Sequence, residues 1–128
     1  MNPIALACAT LLGLLLFGLG LSISMMRFRT GTIIGCEPDP TSTLYKLVRE
    51  HANTAEYAPF FALLFLYLGA HSPSSATLGL IVAATACRLI LVIGLIAWPT
   101  MSKPNPFRFL GAVGTYVTGI ALCVRLIA

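Results

Sequence analysis

Charge is what this chain has least of. Of its 128 residues, eight are Lys or Arg and four are Asp or Glu, or 9% in all. A water-soluble domain carries about 25%, so these side chains cannot coat a surface that faces water. Chemical motifs are missing too. There is no C-x-x-C pair, no phosphate-binding glycine loop, no zinc or haem motif and no catalytic triad pattern. The four cysteines, Cys8, Cys36, Cys87 and Cys123, have no metal-like spacing, and they are expected to remain free thiols. Together these absences exclude a cytosolic enzyme, a nucleic-acid module, a metal centre and a secreted disulfide scaffold.

What remains is apolar. Hydrophobic residues make up 58% of the chain, and the mean hydropathy is +0.92. Four helices of about 20 residues would occupy roughly 80 positions and leave only short loops. The fold class expected is therefore all-α, an integral membrane four-helix bundle of left-handed packing in one domain. Its spans fall at about 3–26, 43–70, 76–98 and 107–127. Span one holds no charged side chain from Met1 to Met26, and Arg27 and Arg29 follow it. A cleaved signal peptide has the opposite order, so an uncleaved helix is expected. Gly31, Gly35, Pro38 and Pro40 break the chain before span two. His71-Ser72-Pro73 makes a turn, and Pro99, Pro104 and Pro106 close span three. In span four, Gly111, Thr115 and Gly119 recur every four residues, a small face suited to close packing.

Basic residues near span ends set orientation. Arg27, Arg29, Lys46, Arg49, Lys103 and Arg108 flank loops one and three, against Arg125 alone at the opposite end. Loops one and three are thus expected in the cytoplasm and both termini outside. The spare design suggests a bacterial inner membrane.

Span two is chemically the richest. At about 100° per residue, Arg49, Asn53 and Glu56 fall within roughly 60° of one another. They form a polar stripe about two turns long, flanked by Tyr57. Glu56 lies about 10 Å deeper along the helix than Arg49. A carboxylate at that depth needs a partner, and Arg88, in span three, is the partner expected, as a structural brace. Lys46, Glu50 and Lys103 read as ordinary interfacial charges. Pro59 frees the carbonyl of Ala55, so a bend beyond the stripe is expected. Cations arranged around one acid and one amide suit a small peptide-like or amino-acid-like anion. Arginine pairs with carboxylates in bidentate fashion, and Glu56 would accept from an ammonium.

The pattern Arg49-x-x-x-Asn53-x-x-Glu56-Tyr57-x-Pro59, at the start of the second of four spans, resembles the signature of the MAPEG family. These are the membrane-associated proteins in eicosanoid and glutathione metabolism. Ala86-Cys87-Arg88 and Pro104-Asn105-Pro106-Phe107-Arg108 resemble further family segments, and span four is similar to the microsomal glutathione transferase tail. The resemblance implies a homotrimer binding glutathione, as co-substrate, between neighbouring protomers. By position, Arg49, Asn53, Glu56 and Tyr57 would hold glutathione from one protomer. His51 and one of Arg27 and Arg29 would complete the site, His51 reaching the adjacent protomer's ligand. Arg108 matches the arginine that would activate the thiol for attack on a lipophilic electrophile, hydroperoxide or other lipid substrate. Leu91 and Leu95 replace tyrosines that some eicosanoid-branch members carry, so the resemblance favours the transferase or peroxidase branch.

Two other classes compete. A small multidrug exporter would need a carboxylate in span one, which has none. A non-catalytic lipid-binding or scaffold protein of the same fold would keep the bundle and the brace without activating a thiol. No nucleic-acid partner and no metal are expected.

Overall fold

Proline, glycine and short polar caps divide the chain. In the computed structural model, which describes residues 1–127, the order is α1 (Pro3–Thr30), α2 (Thr43–Ala70), α3 (Ser75–Ala97) and α4 (Pro106–Ile127). Asn2 caps α1 by accepting from the amides of Ile4 and Ala5, with Pro3 in the first turn. Ser42 and Ser74 cap α2 and α3 in the same way. Gly31 stops α1 in the left-handed region at φ +68°. The helix thus runs four residues past Met26, and Arg27 and Arg29 lie in its last turn. Nothing before Gly31 breaks it, and cations there suit the negative end of the helix dipole.

Helices α1, α3 and α4 are each long and apolar enough to cross a membrane. Helix α2 has the length, 28 residues, and continues through Pro59, but it carries Lys46, Arg49, Glu50 and Glu56. Three apolar helices and one charged one thus make up the four expected, and the charges of α2 are those the sequence places in span two.

The helices pack chiefly as two hairpins, α1 on α2 and α3 on α4. Close approach requires small residues. A Cβ on Gly69 would fall 2.5 Å from the Ala5 Cβ, and one on Gly111 would fall 2.7 Å from the Leu91 Cβ. Gly114 lies against Cys87. Loops one and three meet at one end of the bundle, where the Met101 amide donates to the Pro40 carbonyl at 2.9 Å.

Two apolar clusters fill the interior. One joins Ala5, Leu12, Phe61, Phe65, Ile81 and Leu122; the other joins Leu19, Leu47 and Val92. A polar layer lies between them. Arg88, fully buried, donates from Nη2 to the Thr54 hydroxyl at 3.1 Å, and that hydroxyl donates to Glu50 Oε1 at 3.3 Å. Arg88 Nη2 and Glu50 Oε1 are 3.6 Å apart.

The partner of Arg88 is therefore Glu50, and the expectation of Glu56 is corrected. The reason is angular. Glu50, Thr54, Ala58, Phe61 and Phe65 form the buried face of α2, roughly 120° around from the Arg49–Asn53–Glu56 stripe. Lys46 and Glu50 are likewise not ordinary exposed charges of an interface, because both are buried within the bundle. Lys46 Nζ donates to the carbonyls of Trp98 at 2.7 Å and Pro99 at 3.1 Å, satisfying acceptors at the end of α3. Lys103 is exposed.

Removing one member of a buried pair leaves the other charge uncompensated, at about 3–5 kcal/mol. Glu50→Ala is expected to lower the thermal midpoint in detergent sharply. The double variant Glu50→Leu/Arg88→Met should recover most of that loss, since apolar replacement of both partners is close to neutral. Glu56→Gln should leave the midpoint almost unchanged, and a large drop would restore Glu56 as the brace.

Candidate functional site

The side of α2 turned away from the core carries the sequence-derived stripe. Arg49 and Glu56 are exposed, while Asn53 and Tyr57 are half-buried. Tyr57 bridges the two faces of the helix. The Arg88 guanidinium carbon lies 5.5 Å from its ring centroid, a cation–π contact that links the polar layer to the stripe. Tyr57 also meets Tyr116 of α4, with ring centroids 5.9 Å apart.

Helices α2 and α4 touch only briefly, and the space between them is a groove of about 670 Å³. Glu56, Tyr57 and Tyr116 form its polar wall, and Phe60, Phe61 and Ile120 are among its apolar lining. The groove thus sets a carboxylate and two phenols beside a surface that suits an apolar chain.

Arg108 lies elsewhere. With Lys103 and Phe109 it lines a second groove, of about 580 Å³, where α4 begins. The Arg108 guanidinium donates from Nη1 to the Met101 carbonyl at 3.2 Å and is exposed. Its backbone is held by Asn105, whose Oδ1 accepts from the amides of Phe107 at 3.0 Å and Arg108 at 3.2 Å. The Asn105 Nδ2 donates to the Gly94 carbonyl at 2.5 Å. One buried side chain therefore caps α4 and locks its first turn to α3.

The remaining candidates are spread over the same end of the bundle. Arg27 donates from Nη1 to the Gly35 carbonyl at 2.6 Å, and Arg29 is exposed with no side-chain partner among the described residues. His51 turns to α1, where a Cβ on Gly20 would lie 3.4 Å from its Nε2. Within one chain, then, Glu56 and Tyr57 share a groove, while Arg108, His51 and the α1 arginines do not enter it. All four cysteines are unpaired, Cys8 being buried and Cys123 exposed on the α2–α4 groove. Among the described residues no cluster of His, Cys, Asp or Glu could hold a metal ion.

The sequence model of the MAPEG family matches residues 5–128, nearly the full length. The chain belongs to the MAPEG family. No curated protein and no solved structure gives a significant match. MAPEG membership makes this a helical membrane protein and suggests a glutathione-related transferase or a related membrane function.

Three features of this MAPEG chain escape a reading by motif. Glu50 and Thr54 hide in the same charged segment as the stripe, and their signal is the i, i+4 spacing that continues into Ala58, Phe61 and Phe65. Tyr116 adjoins Thr115 in the small-residue face of α4. Asn105 has the spacing of a helix cap, two residues before Phe107.

Asn105→Ala removes a cap and the Gly94 contact together, and losing a cap costs about 1 kcal/mol. It should lower stability by at least that much in thermal unfolding. Asn105→Asp keeps the acceptor and should recover part of the loss. Equal midpoints for all three proteins would show that the cap does not hold the start of α4.

Proposed function

We propose that this MAPEG protein is a membrane-bound glutathione transferase, with peroxidase activity toward hydroperoxides, acting as a homotrimer. The observation that carries this reading is the position of the Arg49–Asn53–Glu56 stripe. It lies outside the bundle's own polar layer, on the uncovered side of a membrane helix. Charges are costly against lipid, so that face calls for a partner subunit and a polar ligand, and the α2–α4 groove beside it suits a lipophilic second substrate.

In this reading Arg49 holds a glutathione carboxylate and Glu56 accepts from its ammonium, with Asn53 and Tyr57 completing the contact. Arg27 or Arg29, together with His51, approaches the ligand from a neighbouring protomer. Loops one and three face the cytoplasm, in keeping with their basic residues, and a bacterial inner membrane fits the spare design.

Arg108 acts on the thiol. A free thiol has a pKa of about 8.5, and only the thiolate is a strong nucleophile. Lowering that value by about two units needs roughly 2.7 kcal/mol of differential stabilisation, which the guanidinium, exposed in a single chain, would supply once a neighbouring protomer and the ligand desolvate it. The thiol proton leaves to solvent, and the thiolate sulfur then bonds to the electrophilic carbon as the leaving group departs with its electron pair. With a hydroperoxide the sulfur attacks the O–O bond, an alcohol leaves, and a second glutathione reduces the sulfenic acid to disulfide and water.

Calorimetric binding of glutathione to the detergent-purified protein, with aryl-halide conjugation and hydroperoxide reduction assayed on the same sample, tests this reading. Binding and at least one turnover are expected. Absence of binding would overturn the proposal and leave a lipid-binding or scaffold role. Arg108→Ala should keep glutathione affinity nearly intact, abolish the ultraviolet thiolate absorbance of the bound ligand and slow conjugation by about a hundredfold or more. Unchanged absorbance would remove Arg108 from the mechanism.

A further inference from the structure

The last turn of α1 and the turn that follows it expose three large apolar side chains within seven positions. Phe28 is 92% exposed, Ile33 95% and Ile34 88%, and none of them packs on the bundle. They lie at the end of a membrane helix, beside Arg27 and Arg29. We propose that this turn is a lipid-inserting wedge, with Phe28, Ile33 and Ile34 seated at the headgroup and upper acyl level of an anionic leaflet.

Three observations favour lipid as the occupant. Helix α1 has 28 residues and so is about 42 Å long at 1.5 Å per residue, against a hydrocarbon core of about 30 Å. Its two charges are both in the last turn, so the surplus length at that end lies among headgroups. The turn is also closed. Gly31 and Gly35 adopt φ of +68° and +70°, and the Arg27 guanidinium holds the Gly35 carbonyl at 2.6 Å. That bond ties Gly35 to a side chain in the last turn of α1, so residues 31–35 are held as a closed turn at the helix end. Finally, the charge is complementary: Arg29 has no side-chain partner among the described residues, and a guanidinium beside an apolar wedge suits a lipid phosphate. The wedge itself, Phe28, Ile33 and Ile34, uses no residue assigned to glutathione; of the glutathione candidates only Arg27 and Arg29 adjoin it, and the test reads the wedge alone.

The test uses the full chain with Trp98→Phe, so that a tryptophan introduced by Ile34→Trp is the sole indole. Only the Trp98 backbone carbonyl holds Lys46, and that contact survives the substitution. The protein is reconstituted in phosphatidylcholine–phosphatidylglycerol vesicles. Lipids brominated high on the acyl chain are expected to quench more than half of the emission, and lipids brominated near the chain end much less. Ile33→Trp serves as a second probe. Quenching by aqueous iodide with none by brominated lipid would overturn the wedge. Shielding of both probes from iodide and lipid alike would also overturn it, and would assign the turn to a contact between copies of the chain.

Discussion

A guanidinium at the centre of a membrane bundle needs compensation, and the arrangement around Arg88 follows from that need. Thr54 and Glu50 answer it from α2 through one relay, Arg88 to hydroxyl to carboxylate. Because the three groups sit between two apolar clusters, a register shift of α2 against α3 would strand an ion in hydrocarbon. Apolar contacts alone would tolerate sliding far better, since leucine and isoleucine surfaces are nearly interchangeable in lipid. Specific alignment is therefore tied to this polar layer.

Once α2 is held by that inner face, its outer face is set as well. Arg49, Asn53 and Glu56 cannot turn inward without withdrawing Glu50 and Thr54 from Arg88. Tyr57 sits at the boundary, in contact with both the guanidinium and Tyr116. The bundle's electrostatics are in this way coupled to the wall of the α2–α4 groove. Lys46 plays a comparable part at the loop end, tying the start of α2 to the carbonyls that close α3.

The grooves of a single chain separate chemistries that the proposed reaction must combine. Glu56 and Tyr57 line one groove and Arg108 another, while His51 faces α1, Arg27 holds the turn after it and Arg29 is exposed. The site proposed between copies would resolve this division, because the uncovered side of α2 would then meet residues from a neighbour. Asn105 matters in that setting: by locking the first turn of α4 to Gly94, it sets the direction from which Arg108 leaves the bundle.

Long-range properties were readable along the chain because they depend on composition and local stops. Scarce charge and apolar runs determined a helical membrane protein, and the glycines and prolines of loop one, the His71-Ser72-Pro73 turn and Pro99 placed the helix ends within a few residues. The spacing of Arg49, Asn53 and Glu56 determined that they share one face, since helical periodicity depends only on distance along the chain. Periodicity carries no angular origin, however, so it could not say which face of α2 meets Arg88. Depth along the helix favoured Glu56 as the partner of Arg88 and left Glu50 as an interfacial charge, and packing reversed that choice. Only the tertiary structure decided that choice, because the face holding Ala58, Phe61 and Phe65 must point inward and takes Glu50 and Thr54 with it. The desolvation of Arg88 then accepts the carboxylate on that face, and Glu56 is left to the groove.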